Sequence, residues 1–280
     1  MEQNWTTIIK PQKNIFKLNL GEVFEYIDLI FLLVKRNFSI QYKQTILGPL
    51  WFLINPLLTT FIYTVIFGNI AGLGTDGVPH FVFYLCSTAL WQYFAACLNN
   101  TSNTFTANAA IFGKVYFPRI TVPISLAIYA LVNFGVVFIV TIISTIFYMQ
   151  MGANVKITAC ILLVPILVLQ TALLGLGVGI IISSLTTKYR DLAVLVTFGV
   201  QLWMYATPVV YSISELPEKL KKICMLNPMT PIMNNFRYAM LGSGILEIKY
   251  WLVSAIVTIV LLLVGIVLFN KVERTFMDTV

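Results

Sequence analysis

QYKQTILGPLWFLINP, Gln41 to Pro56, joins a charged amphipathic segment to the first long apolar one. Lys43 is the last cation before that apolar run. Gly48-Pro49 breaks a helix and restarts it, because proline locks φ, lacks an N–H and sits best in a helix's first turn. Trp51 then falls at headgroup depth, where an amphipathic ring is favoured. The stretch reads as an elbow at which a helix lying on a membrane turns and enters it.

Composition agrees. Of 280 residues, 59% are hydrophobic and 10% charged, with mean hydropathy +0.87; a soluble domain is roughly a quarter charged. A net charge of +7 would suggest nucleic acid in a soluble protein. Here a cation excess in cytoplasmic loops accounts for it, and no nucleic-acid partner is expected. Met1 to Gly21 holds no apolar core, so no cleavable signal peptide is expected. Cys86, Cys97, Cys160 and Cys224 show no metal or disulfide spacing.

Upstream of the elbow, Glu22 to Gln41 has a helical period. Glu22, Glu25, Asp28, Lys35, Arg36 and Ser39 fall on one side. Val23, Phe24, Tyr26, Ile27, Ile30, Phe31, Val34 and Phe38 fall on the other. Its apolar core is too short to span, so an interfacial helix is expected. The fold class expected is an all-α membrane protein: residues 1–47 form a cytoplasmic tail and interfacial helix, and 48–280 a six-span domain. The spans fall at about 50–67, 81–98, 123–149, 157–185, 192–211 and 250–269. In the fourth, Gly175 and Gly179 in GxxxG spacing, with Gly177 between, let another helix approach closely.

Lys114, Arg119, Lys188, Arg190, Lys271 and Arg274 lie on the side shared by both termini, which should therefore be cytoplasmic. Ser212 to Lys249 strains this scheme by placing Lys219, Lys221, Lys222, Arg237 and Lys249 outside. Within it, Thr230-Pro231 reads as a helix start and Gly242 as a stop, giving two short helices that dip into the outer leaflet or cap the pore.

The chain has no GxxxxGK[ST] phosphate loop, so no ATP site is expected. The sole histidine, His80, is expected to be solvated in an external loop. No ionisable residue lies well inside a span, which argues against an ion-coupled pump. Energy for transport would have to come from a partner. The loop Asn99 to Val122 is where one could push. Ala107 to Val115 can form a short helix exposing Asn108, Ile111, Phe112 and Lys114, unless it packs on its own membrane domain. Polar and aromatic residues share helical faces: Trp51, Asn55 and Thr59; Tyr84, Thr88, Trp91 and Gln92; Phe198, Gln201, Leu202 and Tyr205. Rings beside amides and hydroxyls suit a sliding sugar chain, though such groups also serve as interfacial belt and helix–helix glue.

The elbow resembles the start of the membrane subunit of ABC-type polysaccharide exporters, the group handling O-antigen, capsule and teichoic acid. KYRDLAVLVTFGVQLWMYATPVVYSISELPE (Lys188 to Glu218), LNPMTPIMNNFRYAMLG (Leu226 to Gly242) and the final VERTFMDTV resemble its later segments in the same order. The resemblance implies a homodimeric permease of the bacterial inner membrane, with no catalytic residue, metal or cofactor of its own. Two separate ATP-binding cassette subunits would hold ATP and Mg, and a lipid-linked polysaccharide, most simply O-antigen, would be the cargo. It assigns docking on the ATPase to the loop holding Asn108 to Lys114, and an aromatic channel at the dimer interface to the first and fifth spans. It marks Lys43, Gly48, Pro49 and Trp51 at the elbow, Arg190 and Asp191 before the fifth span, and Asn227, Pro228 and Arg237 outside. The alternatives are an ABC exporter of drugs or simple lipids, a membrane-embedded glycan-modifying enzyme, and an anchoring protein without transport.

Overall fold

The computed structural model describes residues 20–43, 45–115, 117–189 and 191–279; of Leu20, Tyr42 and residues 274–279 it describes the backbone alone. The described chain is helical, without strands. Short α1 (Leu20–Glu25) and α2 (Ile27–Tyr42) precede the elbow. Gly48 takes φ +50°, a left-handed value that glycine adopts without cost. A 3-10 turn, Gly48–Leu50 with Pro49 in it, leads into α3 (Trp51–Tyr63), which widens to a π turn over Thr64–Ile70. Then come α4 (His80–Ser102), α5 (Thr104–Phe112), α6 (Thr121–Gln150), α7 (Val164–Thr186) and α8 (Leu192–Ala206). The chain closes with α9 (Glu218–Leu226), α10 (Met229–Leu241) and α11 (Ile248–Thr279).

Among the described residues, five helical stretches are long and apolar enough to cross a membrane: Gly48–Ile70, His80–Ser102, Thr121–Gln150, Ala159–Thr186 and Ile248–Glu273. The sixth expected crossing, 192–211, differs. Its helix α8 stops after 15 residues, about 22 Å at 1.5 Å per residue, against a hydrocarbon thickness of about 30 Å. Pro208 explains the stop, since a proline disfavours helical geometry in the residue before it, and Thr207 is extended (φ −106°, ψ 141°).

Helix α4 is the hub. Over its most apolar stretch 78% is buried, against 11% for the first span, and it packs on α3, α6, α7, α8 and α10. The glycines of α7 set the closest approaches. A Cβ on Gly175 would lie 2.8 Å from Cys97 Cβ, and one on Gly179 2.8 Å from Thr101 Cβ, both on α4. Gly177 faces the other way, onto the Leu262 backbone of α11 at 2.9 Å, where Gly265 answers it. The GxxxG pair and the glycine between them thus admit two helices on opposite sides. Gln170 then ties α7 to α11, donating to Ser254 Oγ at 3.0 Å and accepting from Trp251 Nε1 at 2.6 Å.

Two sequence expectations change here. Helix α10 is no surface cap: 12 of its 13 residues are buried. It begins at Met229, one residue before Thr230-Pro231, and ends at Gly242, whose φ of +71° makes a left-handed cap. Its last carbonyls are met by the chain entering α7, with Lys156 N–H donating to Leu241 O and Thr158 N–H to Ala239 O. His80 is not solvated in a loop. It is the first residue of α4, half-buried against Gly68, with Nε2 3.3 Å from Leu73 O.

Gly177→Leu should force α7 and α11 apart and cost about 1–3 kcal/mol or more. Thermal unfolding of the detergent-purified protein should show a clear fall in midpoint; an unchanged midpoint would show that the contact is not tight.

Candidate functional site

The outward faces of the spans differ in kind. Through their middle turns α6 and α11 expose aliphatic side chains, among them Val132, Ile139 and Ile143 on one and Leu252, Ile256 and Leu263 on the other. Such surfaces suit lipid tails. Helices α3 and α8 expose, beside aliphatics such as Leu58, Val194 and Leu202, also Trp51, Asn55 and Phe61, and Thr197, Phe198, Gln201 and Tyr205. The two helices meet where the Tyr63 hydroxyl donates to Met204 Sδ at 3.6 Å. One side of the bundle therefore mixes rings with amides and hydroxyls.

Of the expected path residues, Asn55, Phe198, Gln201 and Tyr205 lie on that side, with Thr59 half-buried beside Asn55. Tyr84 and Trp91 do not. They are 0% and 4% exposed inside the α4 core, Tyr84 edge-on to Tyr63 and Trp91 against Phe94. Helical period placed these rings on one face of α4, but α4 has neighbours all round, so no face of it is left open. Alongside α3 the fold also opens a cavity of about 190 Å³, walled by α3, α4, α6 and the end of α2. Gln41, Asn55, Gln92 and Asn133 line it with amides, and Tyr93 and Phe134 with rings. Gln41 accepts the Tyr129 hydroxyl. Among the described residues the Asn133 side-chain oxygen is buried without a hydrogen-bond partner. Sequence reading placed Gln92 on a mixed polar and aromatic face; only packing brings it into one chamber with Asn133.

At the end of the bundle holding α2, an aromatic cluster joins several elements. Phe105 packs tilted against Phe269 at 4.5 Å between ring centroids and edge-on to Phe112 at 6.1 Å, and Leu33 and Phe117 close the cluster. Phe112 is 4% and Asn108 8% exposed, contrary to the exposed pair expected. Tertiary packing is the reason: α5 turns Phe105, Asn108 and Phe112 inward at i, i+3 and i+7, and its two rings pack with Leu33, Phe117 and Phe269. What α5 and the following turn expose is Thr106, Ala107, Ala110, Gly113, Lys114 and Val115, with Ile111 half-buried. Arg36 of α2 donates to Asn108 Oδ1 at 3.4 Å. Arg119 donates to Glu273 O of α11 at 2.6 Å and lies over the Phe112 ring. Lys43 ends α2, and Asp191 is exposed at the start of α8; Arg190 lies outside the described residues.

The opposite end is clamped by hydrogen bonds. Asp76 accepts from Ser212 Oγ at 2.6 Å, from Ser214 Oγ, and from Ser243 Oγ at 3.2 Å. Burial alone would raise its carboxyl pKa, but the three hydroxyls and then the Arg237 charge outweigh that and hold it below the usual carboxylate range. Arg237, expected on the outer side of the membrane, lies buried in α10 at this end. It donates to Tyr211 O at 3.3 Å and Asn234 Oδ1 at 2.6 Å, with its guanidinium 4.5 Å from the Phe83 ring centre. Asn227 staples α8 to α10: its Oδ1 accepts from Trp203 Nε1 at 2.9 Å and from Met229 N–H at 3.1 Å, while its Nδ2 donates to Thr207 Oγ1 at 2.8 Å. Pro228 O accepts from Ser254 Oγ of α11. These residues bind helices together and present no open chemistry. Among the described residues no cluster of His, Cys, Asp or Glu could hold a metal.

A multi-pass helical bundle with a polar and aromatic flank, and a short helix packed across one end, has the form of a membrane transport subunit. The pattern of the ABC-2 type transporter family matches residues 28–241, and the chain belongs to that family. Two proteins of Klebsiella pneumoniae, each called O-antigen export system permease protein RfbA, are 30% identical to it over 263 residues, covering 94% of this chain and 97% of theirs. A protein of the same name from Myxococcus xanthus is 25% identical over 262 residues, covering 92% and 98%.

Two variants check the two ends. Phe112→Asp should destabilise the aromatic cluster by about 3 kcal/mol or more, because it both empties a packed site and buries a charge; unaltered thermal unfolding would show the ring to be dispensable. Asp76 has a depressed pKa, so its stabilisation is present above the unfolded value of about 3.9 and lost as pH falls through the lower folded value. Proteolysis between Leu73 and Ser214 should accelerate on acidification through that window, and Asp76→Asn should abolish the pH step.

Proposed function

We propose that this chain is the permease subunit of an ATP-driven exporter that moves a lipid-linked polysaccharide, most simply O-antigen, outward across a bacterial inner membrane. Two copies pair across the α3–α8 flank, and the seam between them carries the glycan. The observation that supports this most is that, away from the ends of the spans, the exposed amides Asn55 and Gln201 lie on α3 and α8, with the exposed hydroxyls of Thr197 and Tyr205 on α8. Facing lipid, each unpartnered amide would cost several kcal/mol; facing a second copy and a wet seam, it would not. Sugars have apolar C–H faces for Phe198 and Tyr205 and hydroxyl edges for Asn55, Thr59 and Gln201. The cavity beside α3 adds Gln41, Gln92 and Asn133 to the same wall.

The sixth crossing is completed by α8 together with the non-helical 207–211. Residues 207–210 are buried, which is the condition for irregular backbone at membrane depth. Lys114, Arg119, Lys188 and Lys271 gather at the end holding α2, so that end faces the cytoplasm. Two ATP-binding subunits, carrying ATP and Mg, dock there. Their contact is the exposed edge of α5 and its turn, with Lys114 and Val115 prominent, while Asn108 and Phe112 stiffen it from behind. Closure of the ATPases is passed to α2 through Arg36–Asn108 and to α11 through Phe105–Phe269.

Tyr205→Ala should cut surface polysaccharide by about fivefold, the scale of one lost aromatic contact, with membrane-inserted protein unchanged; normal export would remove Tyr205 from the path. Val115→Asp with Lys114→Glu should leave the bundle's thermal midpoint intact while the co-purifying ATPase is lost. Retention of the ATPase at wild-type levels would remove this edge from the contact.

A further inference from the structure

Helix α9 has two faces of opposite character. On the inner one Cys224 and Met225 pack with Ile213, Leu216 and Tyr250, and Lys221 Nζ pairs with Glu247 at 3.6 Å. On the outer one Leu220, Ile223 and Leu226, spaced i, i+3, i+6, are 52%, 65% and 76% exposed, and Lys219 and Lys222 are exposed among them.

The depth of this face can be read from its support. Helix α11 opens with Ile248, Lys249, Tyr250 and Trp251, a cation followed by two amphipathic rings, which is the signature of a span's first turn at the headgroup layer. Helix α9 rests on Tyr250 and is tied to Glu247, so its ridge lies at that level, at the end of the bundle opposite α2. Five cations fall in this segment against the bias of the rest of the chain, and the fold separates them. Arg237 is interior and bonded to Tyr211 O and Asn234; Lys221 is paired. Lys219, Lys222 and Lys249 remain exposed, with Glu218 the exposed acid on α9.

We infer that α9 is an interfacial anchor whose Leu220–Ile223–Leu226 ridge inserts into the leaflet opposite α2, and whose Lys219 and Lys222 bind the phosphates of anionic lipid headgroups. Leucine and isoleucine reach the upper acyl chains while lysine stems extend along them and keep their ammonium groups among phosphates. Each such lysine adds on the order of 1 kcal/mol of attraction to an anionic surface. A second copy is a poorer occupant: a two-fold contact would set these lysines against themselves. The inference goes beyond the proposed export and needs only that the chain spans a bilayer.

The test places the photoreactive residue p-benzoylphenylalanine at Ile223 in the full chain, reconstituted in nanodiscs of phosphatidylcholine alone or with one quarter phosphatidylglycerol. After irradiation, mass spectrometry should find lipid adducts, with phosphatidylglycerol enriched about threefold or more over its share, as two weak charge contacts allow. Lys219→Glu with Lys222→Glu should abolish the enrichment and leave lipid adducts in place. Adducts to a second copy of the chain, or no lipid adduct, would overturn the anchor. Lipid adducts without enrichment would overturn the headgroup contact. No transport is measured, so failure here leaves the export reading standing, and failure of export leaves this one.

Discussion

Close backbone approach at the α7 glycines is the contact on which the rest depends. In lipid, apolar side chains gain little by leaving hydrocarbon for one another, so helices associate through tight packing and a few hydrogen bonds. Gly175 and Gly179 draw in α4, and Gly177 with Gly265 draws in α11. That makes α7 a spine with a neighbour on each side, and it leaves α4 enclosed. Once α4 is enclosed, α3 and α8 can only pack at its margin, and their outward faces become the open flank of the bundle.

The two ends of the bundle are built on different physics, which suits different work. At the α2 end, rings from α5 and α11 interlock with Leu33 of α2, a contact with density but little direction. Such a cluster can shift as a body when pushed. At the other end, Asp76 gathers three hydroxyls from segments far apart in sequence, and Asn227 ties α8 to α10. Hydrogen bonds are directional, so this end keeps its geometry. On the proposed function, a push delivered at α5 would arrive at α3 and α8 against a fixed frame at the opposite end.

Much of the bundle could be read from the chain. Long apolar runs separated by short polar turns give the positions of the spans, because hydrocarbon forces every backbone group into an internal helix bond. The elbow at Gly48-Pro49 follows from proline and glycine stereochemistry, and a helix over the region of α5 follows from period. The candidate site was only half legible. Phe198 and Tyr205 lie on an open flank while Tyr84 and Trp91 are enclosed, although all four have the same local pattern. Phe112 similarly has the pattern of an exposed docking ring and is a core ring. Period assigns side chains to faces of one helix but carries no information on which face another helix covers.

The sequence by itself determined that this is a multi-pass helical membrane protein with an amphipathic helix before its first span, since hydropathy, proline and glycine act over a few residues. It also carried, in matching segments in order, the resemblance that the family match bears out. Tertiary structure alone decided that α10 and Arg237 are interior, and that Asn55, Gln92 and Asn133 meet in one chamber. Each of these depends on contacts between residues tens to hundreds of positions apart, and the free energy that selects them exists only once the helices are packed.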